Sequence, residues 1–94
     1  MSYLADMRTL PALNPAMFGH SFRTERLALG KTQQQIAEAA NCRRQTIVDL
    51  EAGRNVSLHI VFAALAALGK GLTITDARPD LDQIHLLLDP QDES

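Results

Sequence analysis

The sequence predicts an all-α fold, and three observations carry that prediction. Apolar residues make up 46% of the 94 positions, yet aromatics only 4%, with no tryptophan. A core must therefore be assembled from Leu, Ile, Val and Ala, side chains that suit close-packed helices. Between Pro15 and Leu68 helix breakers are few and β-branched runs of period two are nearly absent. Start and stop signals, finally, recur at the spacing of short helices. A chain of this length makes one domain.

Residues 1–14 show no hydrophobic period, contain Pro11 and read as an arm. Asn14 then Pro15 pairs a helix N-cap with a proline at the first helical position. The first helix is predicted to run to about Leu29, with Phe18, Phe22 and Leu29 on one side and Gly30 as its terminal cap. Thr32 opens a second helix, Gln33–Ala40, whose Thr32 and Gln35 match a capping box. Ile36, Ala37 and Ala40 form its narrow apolar edge, and Asn41 suits the left-handed conformation of a tight turn. The third helix is expected over Arg44–Ala52, burying Ile47 and Leu50 and stopping at Gly53. Ser57 caps a fourth, Leu58–Leu68, apolar almost all round, which makes it either core or a face for a partner. Helices therefore occupy 15–69. Within 70–78, Leu72-Thr73-Ile74-Thr75 alternates apolar and polar residues as a short strand does; it pairs with the same strand of a second copy, or else is an extended tail. The remainder, 79–94, is an acidic tail in which Leu81, Ile84 and Leu88 fit a helix edge and 89–94 reads as disordered.

The distribution of charge is more telling than its net value of −2. Residues 20–55 hold six basic side chains against four acidic ones, whereas 56–94 hold two against six. A basic middle with an acidic end fits DNA on one face and another partner elsewhere. The lone cysteine, Cys42, excludes an internal disulfide and reads as a small core plug. His20, His59 and His85 are scattered, so no metal site and no cofactor is expected. The start, with Asp6 and no apolar run, does not read as a signal peptide, and Ile60–Leu68 is too short to span a bilayer. A cytoplasmic protein with no membrane partner is the expectation. Nothing supports an enzyme: no nucleophile, base and orienter converge, no glycine-rich phosphate loop occurs, and Asp80 and Asp82 sit in a polar tail.

The informative stretch is Thr32–Gly53, TQQQIAEAANCRRQTIVDLEAG. Two short helices joined by a three- or four-residue turn, the second with a polar outer face, describe a helix-turn-helix whose second helix fits the ~12 Å major groove. Ala37 lets the two helices approach. This stretch resembles the Cro/cI-type (XRE) helix-turn-helix family, in which a Thr-Gln like Thr32-Gln33 opens the second helix and a segment like Arg44-Gln45-Thr46-Ile47 opens the recognition helix. The likeness covers roughly Met17–Gly69. It implies a compact four- to five-helix, lambda-repressor-like domain and an ion pair at the positions of Arg26 and Glu51. Leu50–Asp76 further resembles HipB-like antitoxins, which implies a dimerising strand after the fourth helix and a toxin protein as a possible partner. Three positions depart from the family pattern: Asn41 stands where glycine is common, Arg43 where Ser or Thr caps, and Lys31 where an apolar residue is usual.

Roles follow from the helical register. With Ile47 and Leu50 inward, Gln45, Val48, Asp49 and Ala52 face outward and Arg44 lies near the start. Arg44 suits guanine O6/N7, Gln45 adenine N6/N7 and Val48 a thymine methyl; Asp49 either accepts from a cytosine amino group or only repels phosphate. Lys31, Gln33, Arg43, Thr46 and Arg54 are expected at phosphates, helped by the second helix's dipole. Because each half-site is short, useful specificity requires a homodimer on a palindromic operator with half-sites ~34 Å apart. Phe62, Leu65, Leu72 and Ile74 are the expected dimer contacts. The expected function is an operator-binding repressor, an autoregulating antitoxin or a free-standing regulator; the alternative is a protein-interaction module that has lost DNA binding, which the net acidity favours slightly.

Overall fold

The computed structural model describes residues 10–77 and holds four helices there and no strand. We number them α1 (Pro15–Ala28), α2 (Gln33–Ala40), α3 (Arg44–Glu51) and α4 (Leu58–Ala67). All four lie in a unit formed by Ala12–Thr73. Each helix begins and ends for local chemical reasons. Asn14 accepts the Met17 N–H at 2.8 Å and Pro15 follows, so α1 starts with one orphan donor satisfied and another missing. The α2 capping box closes both ways: Thr32 Oγ1 accepts the Gln35 N–H at 3.0 Å, and Gln35 Oε1 accepts the Thr32 N–H at 2.8 Å. Ser57 Oγ caps α4 on the Ile60 N–H at 3.2 Å. Arg43, by contrast, precedes α3 without any side-chain cap, as an arginine there must.

Three predicted helix ends move back by one residue: Leu29, Ala52 and Leu68 are C-caps and not the last helical residues. Asn41 does adopt the left-handed conformation, at φ 59°, which turns the chain between α2 and α3. The N–H of Cys42 then bonds back to the Ala37 carbonyl at 2.9 Å, closing the turn tightly.

The core is aliphatic apart from Phe22. That residue, Ile36, Ala37, Ile47, Leu50, Ala64, Leu65 and Leu68 are buried together, with Phe18, Cys42, Val56, Val61 and Ala67 half-buried against them. Helix α2 packs on both α3 and α4, and α1 packs on α3. Leu29 departs from expectation: it is the C-cap of α1 and is 47% exposed. Leu65, expected at a subunit interface, faces its own core and is 6% exposed. What α4 leaves outward is Leu58 and Phe62, at 65% and 50%. Leu72–Thr75, where a strand was expected, carries no regular structure, since a single strand has no neighbour in this chain to bond. Ile74 is fully exposed. Residues 1–9 of the arm, and the helix edge and acidic end expected in 79–94, lie outside the described residues.

One contact gave no sign of itself in the sequence. Gly19 is buried in the middle of α1, and a Cβ there would meet the main-chain oxygens of Leu50 and Glu51 at 2.5 and 2.6 Å. Helix α1 thus rests with its backbone on the end of α3. On an exposed helix Gly→Ala is stabilising by about 1 kcal/mol. Here Gly19→Ala is expected to do the reverse, costing about 1–3 kcal/mol, because carbonyl oxygens of a helix end cannot swing aside. A urea midpoint that rises or stays unchanged would refute this packing.

Candidate nucleic-acid interface

The α2–turn–α3 unit sets out its side chains by burial. Ile47 and Leu50 hold α3 to the core, leaving Arg44 and Gln45 exposed and Thr46, Val48 and Asp49 half-buried at the margin. Arg43, Arg54 and Lys31 are also exposed. Lys31, Gln33, Gln34 and Arg44 line one groove beside the start of α2. Arg43 and Thr46 line a different one, with Glu38, Asn41 and Cys42. Of the residues expected at phosphates, Lys31 and Gln33 thus line one groove and Arg43 and Thr46 another.

Two hydrogen-bonded chains organise this surface. The first starts in the interior. Arg26 Nε donates to Glu51 Oε2 at 2.6 Å and its Nη2 to Oε1 at 3.0 Å, a two-pronged pair whose side chains are only 7% and 4% exposed. The third nitrogen, Nη1, donates to the Lys31 carbonyl at 2.8 Å, so the guanidinium also pins the α1–α2 corner. Gln33 Nε2 donates to Glu51 Oε1 at 3.1 Å, and Gln33 Oε1 accepts from Arg44 Nη2 at 3.1 Å. Gln33 was expected to face a phosphate. It is instead half-buried with both ends of its amide engaged, a bridge between the buried pair and an exposed arginine.

The second chain lies on the outer face of α3. Asp49 Oδ1 accepts from Gln45 Nε2 at 2.9 Å and from Arg54 Nη1 at 2.9 Å. These two bonds, Gln45 first and then Arg54, hold the Asp49 carboxyl below its ordinary range against an opposing cost of burial, and the arginine's charge adds to the lowering. Sequence reasoning missed this ion pair, since it spans the end of the helix. Its signal is the glycine at 53. Gly53 has φ 80° and donates to the Leu50 carbonyl at 3.1 Å, and the Arg54 N–H then reaches the Asp49 carbonyl at 2.8 Å. That pair of bonds is the Schellman ending, and it sets Arg54 directly over Asp49.

The remaining predicted residues are placed as follows. Cys42 is half-buried against the core, and burial pushes its thiol up, as befits a plug and not a nucleophile. His20 and His59 are exposed; His85 lies outside the described residues. Phe62, Leu72 and Ile74 are open to solvent, whereas Leu65 is not. Among the described residues no group of His, Cys, Asp and Glu could hold a metal ion, and no helix is long and apolar enough to cross a membrane.

A family model described as helix-turn-helix matches residues 22–74, which is more than half of the chain and includes α2, α3 and α4 whole. Among curated proteins no match to the sequence was found.

Proposed function

The chain belongs to the helix-turn-helix family, of the XRE type, and is a DNA-binding transcription regulator; from that premise we propose that it acts as a homodimeric repressor on a palindromic operator. One observation carries the reading: α3 is anchored by Ile47 and Leu50 while Arg44 and Gln45 stand exposed on the side away from the core. A rod of this kind fits the major groove, with Arg44 on guanine, Gln45 on adenine and Val48 against a thymine methyl. Lys31, Arg43, Thr46 and Arg54 serve the phosphates, which fix register without reading sequence. Two copies are needed because one short helix reads too few base pairs, and Phe62, Leu72 and Ile74, each exposed, are the apolar side chains proposed to meet a second copy.

The finer form of the proposal is an autoregulating antitoxin that binds a toxin through surfaces away from DNA. The acidic balance of residues 56–94 supports a second, non-DNA partner of this sort. Co-purification of a second protein encoded beside it favours this form, and solitary behaviour favours a free-standing regulator.

A mobility-shift assay of the full chain on the region upstream of its own gene, at low salt, tests the repressor reading. Binding at sub-micromolar dimer is expected. The Arg44→Ala/Gln45→Ala double variant should lose sequence preference, each lost reader costing about 1–3 kcal/mol at its base pair. Lys31→Ala should weaken all DNA alike and flatten the salt dependence by about one ion. Absence of any shift at micromolar dimer would point instead to a protein-interaction module.

A further inference from the structure

We propose that Asp49 is a positioning residue that makes Gln45 selective for adenine over guanine, and that it is not itself a base contact. The inference rests on the DNA-reading face proposed above and adds to it the source of one base preference. A glutamine amide has two N–H donors and one acceptor. Left free, it can meet adenine by accepting from N6 and donating to N7, or meet guanine by donating both hydrogens to O6 and N7. In this chain one Nε2 hydrogen is already committed to Asp49 Oδ1 at 2.9 Å, a spacing of four residues that places the two side chains one helical turn apart. The amide cannot flip, because that would set its own oxygen against a carboxylate. What remains for DNA is one donor and one acceptor, the complement of adenine and a mismatch for guanine's two acceptors.

Arg54 makes the arrangement tolerable next to DNA. Its Nη1 shares the same Oδ1 at 2.9 Å, and the main-chain bond from Arg54 N–H to the Asp49 carbonyl holds the two residues in register. The paired carboxylate is thereby screened from the phosphates it would otherwise repel. With two donors on Oδ1, that oxygen of Asp49 is engaged within its own chain.

The test is selection of bound duplexes from a randomised pool by the full-length protein, followed by competition binding on the selected site with single-base changes. The wild type is expected to select adenine at one position of each half-site, and Gln45→Ala should lose the preference at that position. Asp49→Ala should narrow adenine over guanine there by roughly five- to tenfold while other positions keep theirs. Asp49→Asn retains an acceptor at Oδ1 and should restore most of the preference, which a merely structural role would not require. The proposal is overturned if Asp49→Ala keeps the adenine preference, if it relaxes every position alike, or if it acts at a position that Gln45→Ala leaves untouched. A wild-type protein that enriches no sequence overturns the DNA-reading face itself, a separate and recognisable failure.

Discussion

Arg26→Ala is expected to destabilise the fold by about 3–5 kcal/mol, and Glu51→Ala by a similar amount. In a small domain whose whole stability is of the order of 5–15 kcal/mol, either loss is about a fifth of the total or more. The reason is the imbalance left behind. Without Arg26, the Glu51 carboxylate stays almost fully enclosed with the Gln33 amide as its one close donor, Arg23 lying 4.0 Å away. Without Glu51, the guanidinium keeps only the Lys31 carbonyl. The paired replacement Arg26→Met/Glu51→Leu should cost less than either single change, since it buries no unmatched charge. Chemical denaturation of the three variants measures this directly. Single variants within about 1 kcal/mol of the wild type would mean that the pair is solvated and that this architecture is misread.

Gly53→Ala should cost about 2–5 kcal/mol through two separable effects. A φ of 80° is a left-handed conformation that costs a residue with a Cβ roughly 1–2 kcal/mol. The added Cβ would also meet the Cα of Ala16 at 2.8 Å and its nitrogen at 3.0 Å, an overpacking against backbone worth about 1–3 kcal/mol. Gly30→Ala is the internal control, for Gly30 has φ 70° and nothing within 4 Å of such a Cβ. It should show the conformational part alone. Equal losses in the two variants, read as denaturant midpoints, would dismiss the contact with Ala16. Because Gly53 sets Arg54 over Asp49, its replacement should also loosen the Gln45–Asp49–Arg54 chain on the DNA-facing side.

The helices were legible because their causes are local. Asn14-Pro15, the Thr32–Gln35 box, Asn41 and Ser57 each act within four residues of themselves, and all are found in the expected roles. Burial of Ile36, Ile47 and Leu50 was equally readable from helical spacing. Leu65 escaped that reasoning because α4 is apolar on nearly every side, so its sequence holds no sign of which face the rest of the domain will cover. The candidate interface divides along the same line. The exposure of Gln45 followed from the register of α3, whereas Val48 and Asp49, also expected outward, are half-buried, and the partners of Gln33, 18 residues from Glu51 and 11 from Arg44, were not legible.

Composition, caps and the Thr32–Gly53 pattern were enough for the class of fold, the motif and the identity of the outward helix face, since each depends on interactions within a turn or two of chain. The packing of α1 against the end of α3 through Gly19, the bridge from a buried carboxylate to Arg44, and the clasp of Asp49 by Arg54 emerge only when distant segments meet. They depend on distances of a few ångströms between atoms far apart in the chain, and no periodicity encodes those. Hydrogen bonds and steric contacts at that range are settled by how the helices come to rest on one another.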